Sequence, residues 1–169
     1  MTNNKQIDQF KKEILVSLVE QIPFCKTLGI KLDYLGNEIT SHLPFKKNFI
    51  GNTAIPALHG GVIGSFLEIT AIIQLSWVIS LKEWENEKKF KNKFLKVENS
   101  ILHAIPKTID ITIDYLNYGN PIESFARAKV NKIGRRYASV SVETWQHDPS
   151  TPFAMASGHF LVTNTNLEK

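Results

Sequence analysis

Residues 60–81 read GGVIGSFLEITAIIQLSWVISL, twenty-two residues with a single charge, Glu68. Length alone meets the requirement of about 20 residues for a membrane-spanning helix. The stretch also carries Gly60, Gly61, Gly64, Ser65, Thr70, Gln74, Ser76 and Ser80. A carboxylate at a bilayer centre costs about 2.5–3.5 kcal/mol. We therefore read the stretch as a helix over about Gly60–Ile79, buried inside a soluble protein, with no membrane span. Its one carboxylate then becomes the residue to explain.

What flanks the helix sets the fold class. Upstream, Ile7, Phe10, Ile14 and Leu18 recur at helical spacing within residues 5–20, and Pro23 closes that helix. Residues 30–35 and 39–45 are short apolar runs separated by Gly36-Asn37, the grammar of two strands and a tight turn. A loop rich in Asn, Gly and Pro fills 46–58. Downstream, residues 82–107 form a polar connection, with KEWENEKKFKNKFLK extending the helix or forming another. Four β-like runs follow at 108–116, 123–132, 136–145 and 153–162, parted by turn residues. This order predicts one α+β domain over 1–169: an N-terminal helix in 1–22 and an antiparallel β-sheet wrapped around a long central α-helix.

The composition agrees. Of 169 residues, 43% are apolar and 21% charged, enough for a sizeable core and unlike a disordered or disulfide-scaffold chain. Cys25 is the only cysteine, which leaves no intrachain disulfide and no cysteine-based metal cluster; no metal is expected. The polar start, MTNNKQIDQFKK, lacks the apolar segment of a secretory signal, so a cytoplasmic location is expected. The net charge of +4 permits an anionic partner. The basic residues are not interleaved with a stacking platform, which disfavours nucleic acid.

Chemistry concentrates at the start of the helix. Gly60 and Gly61 let a ligand approach the backbone, and first-turn N–H groups lack helical partners. Such an end can polarise a carbonyl and hold a developing oxyanion. Glu68 lies seven residues after Gly61, about two turns on, and so shares a face with Gly61, Gly64 and Ser65. Burial on an apolar helix favours a carboxyl's protonated form. The bland readings are a packing turn at His59-Gly60-Gly61, a structural acid at Glu68 and an orienting histidine at His59.

Leu58-His59-Gly60-Gly61-Val62 opening a long apolar helix, with an acid nine residues after the histidine, resembles the hotdog-fold acyl-CoA thioesterases of the phenylacetate-degradation type. The likeness spans about residues 23–163 and takes in Leu28-Gly29-Ile30, the run Ile109–Leu116 and the run Val130–Arg136. It implies thioester hydrolysis to free acid and CoA, with Glu68 as nucleophile or general base on water and Gly61 N–H as oxyanion donor. His59 would shape the turn and contact the thioester. It further implies substrate contacts from Asn52, Gly60 and Ser65, with Arg135 and Arg136 meeting the CoA nucleotide. Against that last role stands ordinary hairpin solvation. An auxiliary Ser or Thr of the family cannot be placed from the sequence. No cofactor is expected beyond CoA as part of the small-molecule substrate, and a homodimer or tetramer is expected by analogy. The acyl group would lie near Phe66, Ile69 and Ile72 or their symmetry partners.

Two other functions compete. Gly51-Asn52 through Pro56 faintly resembles the hotdog hydroxyacyl-thioester dehydratases, but Asn48-Phe49 stands where those carry a catalytic histidine. A non-catalytic module binding acyl-CoA or acyl-carrier protein is the third. Ten of the twenty basic residues fall in two short clusters: Lys88, Lys89, Lys91, Lys93 and Lys96, read as a solvated helix face, and Arg127, Lys129, Lys132, Arg135 and Arg136.

Overall fold

The computed structural model describes residues 2–89 and 105–162. Helix α1 runs over Thr2–Gln21 and α2 over Pro23–Leu28. Strands β1 (Lys31–Leu35) and β2 (Glu38–Leu43) form a hairpin, a 3-10 turn covers Lys47–Phe49, and β3 (Ile50–Asn52) pairs with β4 (Ala57–Leu58). Helix α3 spans Gly60–Lys89. Strands β5 (Lys107–Tyr115), β6 (Ser124–Ile133), β7 (Tyr137–Trp145) and β8 (Ala154–Leu161) complete the chain.

Six strands make one antiparallel sheet in the order β1-β2-β6-β7-β8-β5, and α3 lies across it against β2, β6, β7, β8 and β5. Length and apolarity would let α3 cross a membrane, yet 67% of its most apolar window is buried inside the chain. It is the core helix. Phe66, Leu67, Ile73, Leu75 and Trp77 are all at most 1% exposed. They meet inward-facing strand residues such as Ala126, Val140, Val142, Ala156 and Phe160 in one cluster.

Two expectations change and one alternative is decided. Pro23 does not merely end α1. It occupies the first turn of α2, where its missing N–H removes no helical bond, and α2 stops at Gly29, whose φ of 78° suits only glycine comfortably. The 46–58 loop contains the β3–β4 hairpin. Of the two readings of the polar stretch, extension of the helix is the one that holds as far as Lys89: residues 82–89 contain no breaker and carry Glu and Lys at helix-favouring spacings. The remainder of the expected connection, including Lys91, Lys93 and Lys96, lies outside the described residues.

The N-terminal helix is fastened by an unusual residue. Lys11, 8% exposed, donates to Gly36 O at 2.7 Å and Asn37 Oδ1 at 3.2 Å. Its ammonium also sits over the rings of Tyr34 (5.7 Å) and Trp77 (5.8 Å). Trp77 Nε1–H and the Gln74 amide both donate to Asn37 O, so one turn gathers α1, the β1–β2 hairpin and α3. Cys25 is fully buried, and burial pushes its thiol up to about 11, in keeping with a packing role.

Lys11→Ala should therefore lower stability by about 1–2 kcal/mol, since it removes two hydrogen bonds and the cation–π contacts. In thermal unfolding this is a fall of about 2–8 °C for a domain of this size. An unchanged midpoint would mean that apolar contacts alone dock α1.

Candidate active site

The site is built where the first turns of α3 cross the edge strand β5. His59 precedes the helix and is held by the β3–β4 hairpin: its N–H donates to Phe49 O at 2.7 Å. A methyl group at Gly51 would lie 2.7 Å from His59 Cα, so only glycine permits this approach. The His59 carbonyl accepts the N–H groups of Val62 (2.9 Å) and Ile63 (3.1 Å), and its ring Nδ1 accepts Gly61 N–H at 2.9 Å. An accepting Nδ1 puts the ring proton on Nε2. His59 thus shapes the turn, as expected, by capping it.

Gly61 N–H, the oxyanion donor that the resemblance implies, meets the exposed His59 ring across this cap. Gly60 N–H finds no acceptor among the described residues. The Gly60 carbonyl in turn accepts the Tyr115 hydroxyl at 2.9 Å. Ser65 Oγ–H donates back to Gly61 O at 2.8 Å, a local helix bond that leaves its lone pairs outward. Asn52 Oδ1 accepts from Ala54 N–H (2.9 Å) and Ile55 N–H (3.3 Å), so this oxygen closes its own turn rather than facing Glu68.

Glu68 is half-buried, and its Oε1 accepts the Thr108 hydroxyl at 2.6 Å. Thr108, which the sequence did not single out, is the polar partner of Glu68, and its aim depends on a bulge. Ile111, Ile113 and Tyr115 alternate toward α3, which by simple alternation would turn Thr108 away. The register of β5 against β8 shifts between Thr108 and Asp110, so Thr108 pairs with the inward-facing Phe160 while Ile109 is left 57% exposed. An extra residue in one strand re-aims a side chain in this way.

Gly61, Gly64, Ser65, Glu68 and Ile72 form the partly open stripe of α3. Phe66 and Ile69, expected with Ile72 or their symmetry partners to lie near the acyl group, are 1% and 4% exposed within the core of the single chain, because they lie about 160° and 100° round the helix from Glu68. Ile72 is the one of the three on the Glu68 face. Arg135 and Arg136 are exposed in the β6–β7 turn, closed by Gly134 N–H to Tyr137 O at 2.8 Å. Ala138, Phe160 and Thr108 share a row across β7, β8 and β5. The arginines consequently stand at the sheet end where Thr108 meets Glu68, two strand spacings or about 10 Å across the sheet.

No family model matches the chain. It is 27% identical to the medium/long-chain acyl-CoA thioesterase YigI of Escherichia coli (strain K12) over 158 residues, covering 92% of this chain and 95% of that protein. It is 32% identical to a protein of solved structure from Chromobacterium violaceum, covering 96% of this chain and 98% of the other with a TM-score of 0.61. A Shewanella oneidensis protein related to the thioesterase superfamily shares the fold at a TM-score of 0.70 and 20% identity, over 90% of this chain and 97% of that one. With an antiparallel sheet wrapped on a long central helix and these relatives along nearly its whole length, the chain has the hotdog fold and is similar to acyl-CoA thioesterases.

Proposed function

We propose that the protein hydrolyses acyl-CoA thioesters to the free acid and CoA, with Glu68 as general base. The observation that carries this reading is the Glu68 carboxylate held by Thr108 about two turns along α3 from its glycine first turn. Thr108 occupies Oε1, which leaves Oε2 to take a proton from water. The water oxygen attacks the thioester carbon, and negative charge moves to the carbonyl oxygen, where the N–H groups of the glycine first turn and the helix dipole stabilise it. Collapse breaks the C–S bond, and the thiolate leaves with a proton returned from Glu68.

Likeness to a medium/long-chain enzyme supports an acyl chain of that class, laid along the stripe past Ile72. Arg135 and Arg136 would take the CoA phosphates. The nine-residue edge strand β5, with Ile109 and Tyr115 exposed, supports pairing with a second copy as a homodimer, or a tetramer built from it. A cytoplasmic site of action, where CoA thioesters are made and used, completes the proposal.

Glu68→Gln should keep the fold and lower turnover of acyl-CoA by at least about 100-fold, the scale of general-base catalysis. Undiminished thiol release would sink the assignment. Thr108→Val should lower kcat roughly tenfold through loss of carboxylate positioning; a rate within twofold of wild type would separate Thr108 from the chemistry. The double variant Arg135→Ala, Arg136→Ala should raise KM for acyl-CoA by roughly tenfold or less, since exposed pairs contribute little each. KM for a short thioester without the nucleotide should hold steady, and an equal rise for both would remove the phosphate role.

A further inference from the structure

Strand β5 leaves regular pairing at one point. Its register against β8 slips between Thr108 and Asp110, so Ile109 has no partner there. On its other side β8 pairs with β7 without a break through Phe160, Gly158 and His159. The irregularity therefore belongs to β5, and two residues of β8 hold it from opposite faces of the sheet.

Gly158 acts from the inner face. It is buried and pairs with Ile111, the second residue past the bulge. A Cβ at Gly158 would stand 2.8 Å from the Asp110 carbonyl oxygen and 3.2 Å from Phe160 Cε2, and Phe160 is the residue that pairs with Thr108. The first obstacle is backbone, which cannot swing aside as the tip of a side chain can. Gly158 does not adopt a positive φ, so glycine is needed here for space rather than for conformation. His159 acts from the outer face. Its Nδ1–H donates to both Asp110 carboxylate oxygens, at 3.0 and 3.1 Å, and so fastens the first residue after the bulge.

The consequence reaches Glu68. Ile111, Ile113 and Tyr115 face α3, and without the bulge alternation would send Ile109 inward and Thr108 outward. Glu68 would then lose its 2.6 Å bond from the Thr108 hydroxyl. We infer that Gly158 is a positioning residue for the reaction: the space it leaves for the Asp110 carbonyl lets β5 bulge at Ile109, and the bulge brings Thr108 onto Glu68. His159 is the second tie on the same bulge. This rests on the acyl-CoA reading above and extends the machinery by one strand, from Thr108 on β5 to Gly158 on β8.

Gly158→Ala should lower kcat for acyl-CoA about tenfold, the loss expected of Thr108→Val, with KM within about twofold of wild type. Added to Thr108→Val it should cost nothing more, because both act through one bond. A general disturbance of the sheet would instead add its loss to that of Thr108→Val or raise KM. Either result would overturn the inference, as would a wild-type kcat in Gly158→Ala. His159→Ala removes only the exposed tie, which keeps the test open should Gly158→Ala fold poorly. It should lower kcat about threefold, the scale of an exposed pair, and leave Thr108→Val unaffected; in that case a wild-type kcat overturns the positioning role. A wild-type rate in Thr108→Val would also remove that role while the acyl-CoA reading stands. No acyl-CoA hydrolysis by wild type would overturn both.

Discussion

Everything in this molecule follows from the need to bury α3. A helix that is apolar around nearly its whole circumference for six turns cannot face water on any side, and six antiparallel strands supply the cover. Trp77, Phe66, Leu67 and Ile73 are sealed in as a result. What the sheet leaves partly open is a narrow stripe along one side, and the only carboxylate of the apolar stretch stands on it. Had Glu68 been displaced by one position in either direction it would have pointed into the core, where an unpaired charge is not tolerated.

Because β5 is the last strand of the sheet, it has a free edge and can be bent without cost to a neighbour on that side. The bulge at Thr108–Asp110 uses this freedom. It turns Thr108 onto Glu68 while Ile111, Ile113 and Tyr115 keep their places against the helix. The same edge leaves Ile109 and Tyr115 open to solvent in one chain.

Much of this was legible in the residues. Alternation located β5 to β8 to within a residue or two, Gly36-Asn37 marked the first hairpin, and the single charge in a twenty-two-residue apolar run singled out Glu68. The misses have physical causes. Helix α2 is six residues and shows no periodicity of its own. The bulge that aims Thr108 has no signature in Thr108-Ile109-Asp110. The bond from Gly61 N–H to His59 Nδ1 depends on the rotamer of His59, which no spacing rule reports. Asn52 kept its place near the site but gave its oxygen to its own turn, a common use of asparagine.

The claim that the start of α3 holds the reacting carbonyl is tested most directly by a crystal structure with the ketone analogue of acyl-CoA bound. The account predicts the ketone oxygen about 3 Å from a backbone nitrogen of the glycine first turn, as an oxyanion donor requires, with the Glu68 carboxylate across the carbonyl and its Thr108 bond intact. A ketone seated away from the first turn of α3, or an oxygen bonded only to side chains, would contradict it.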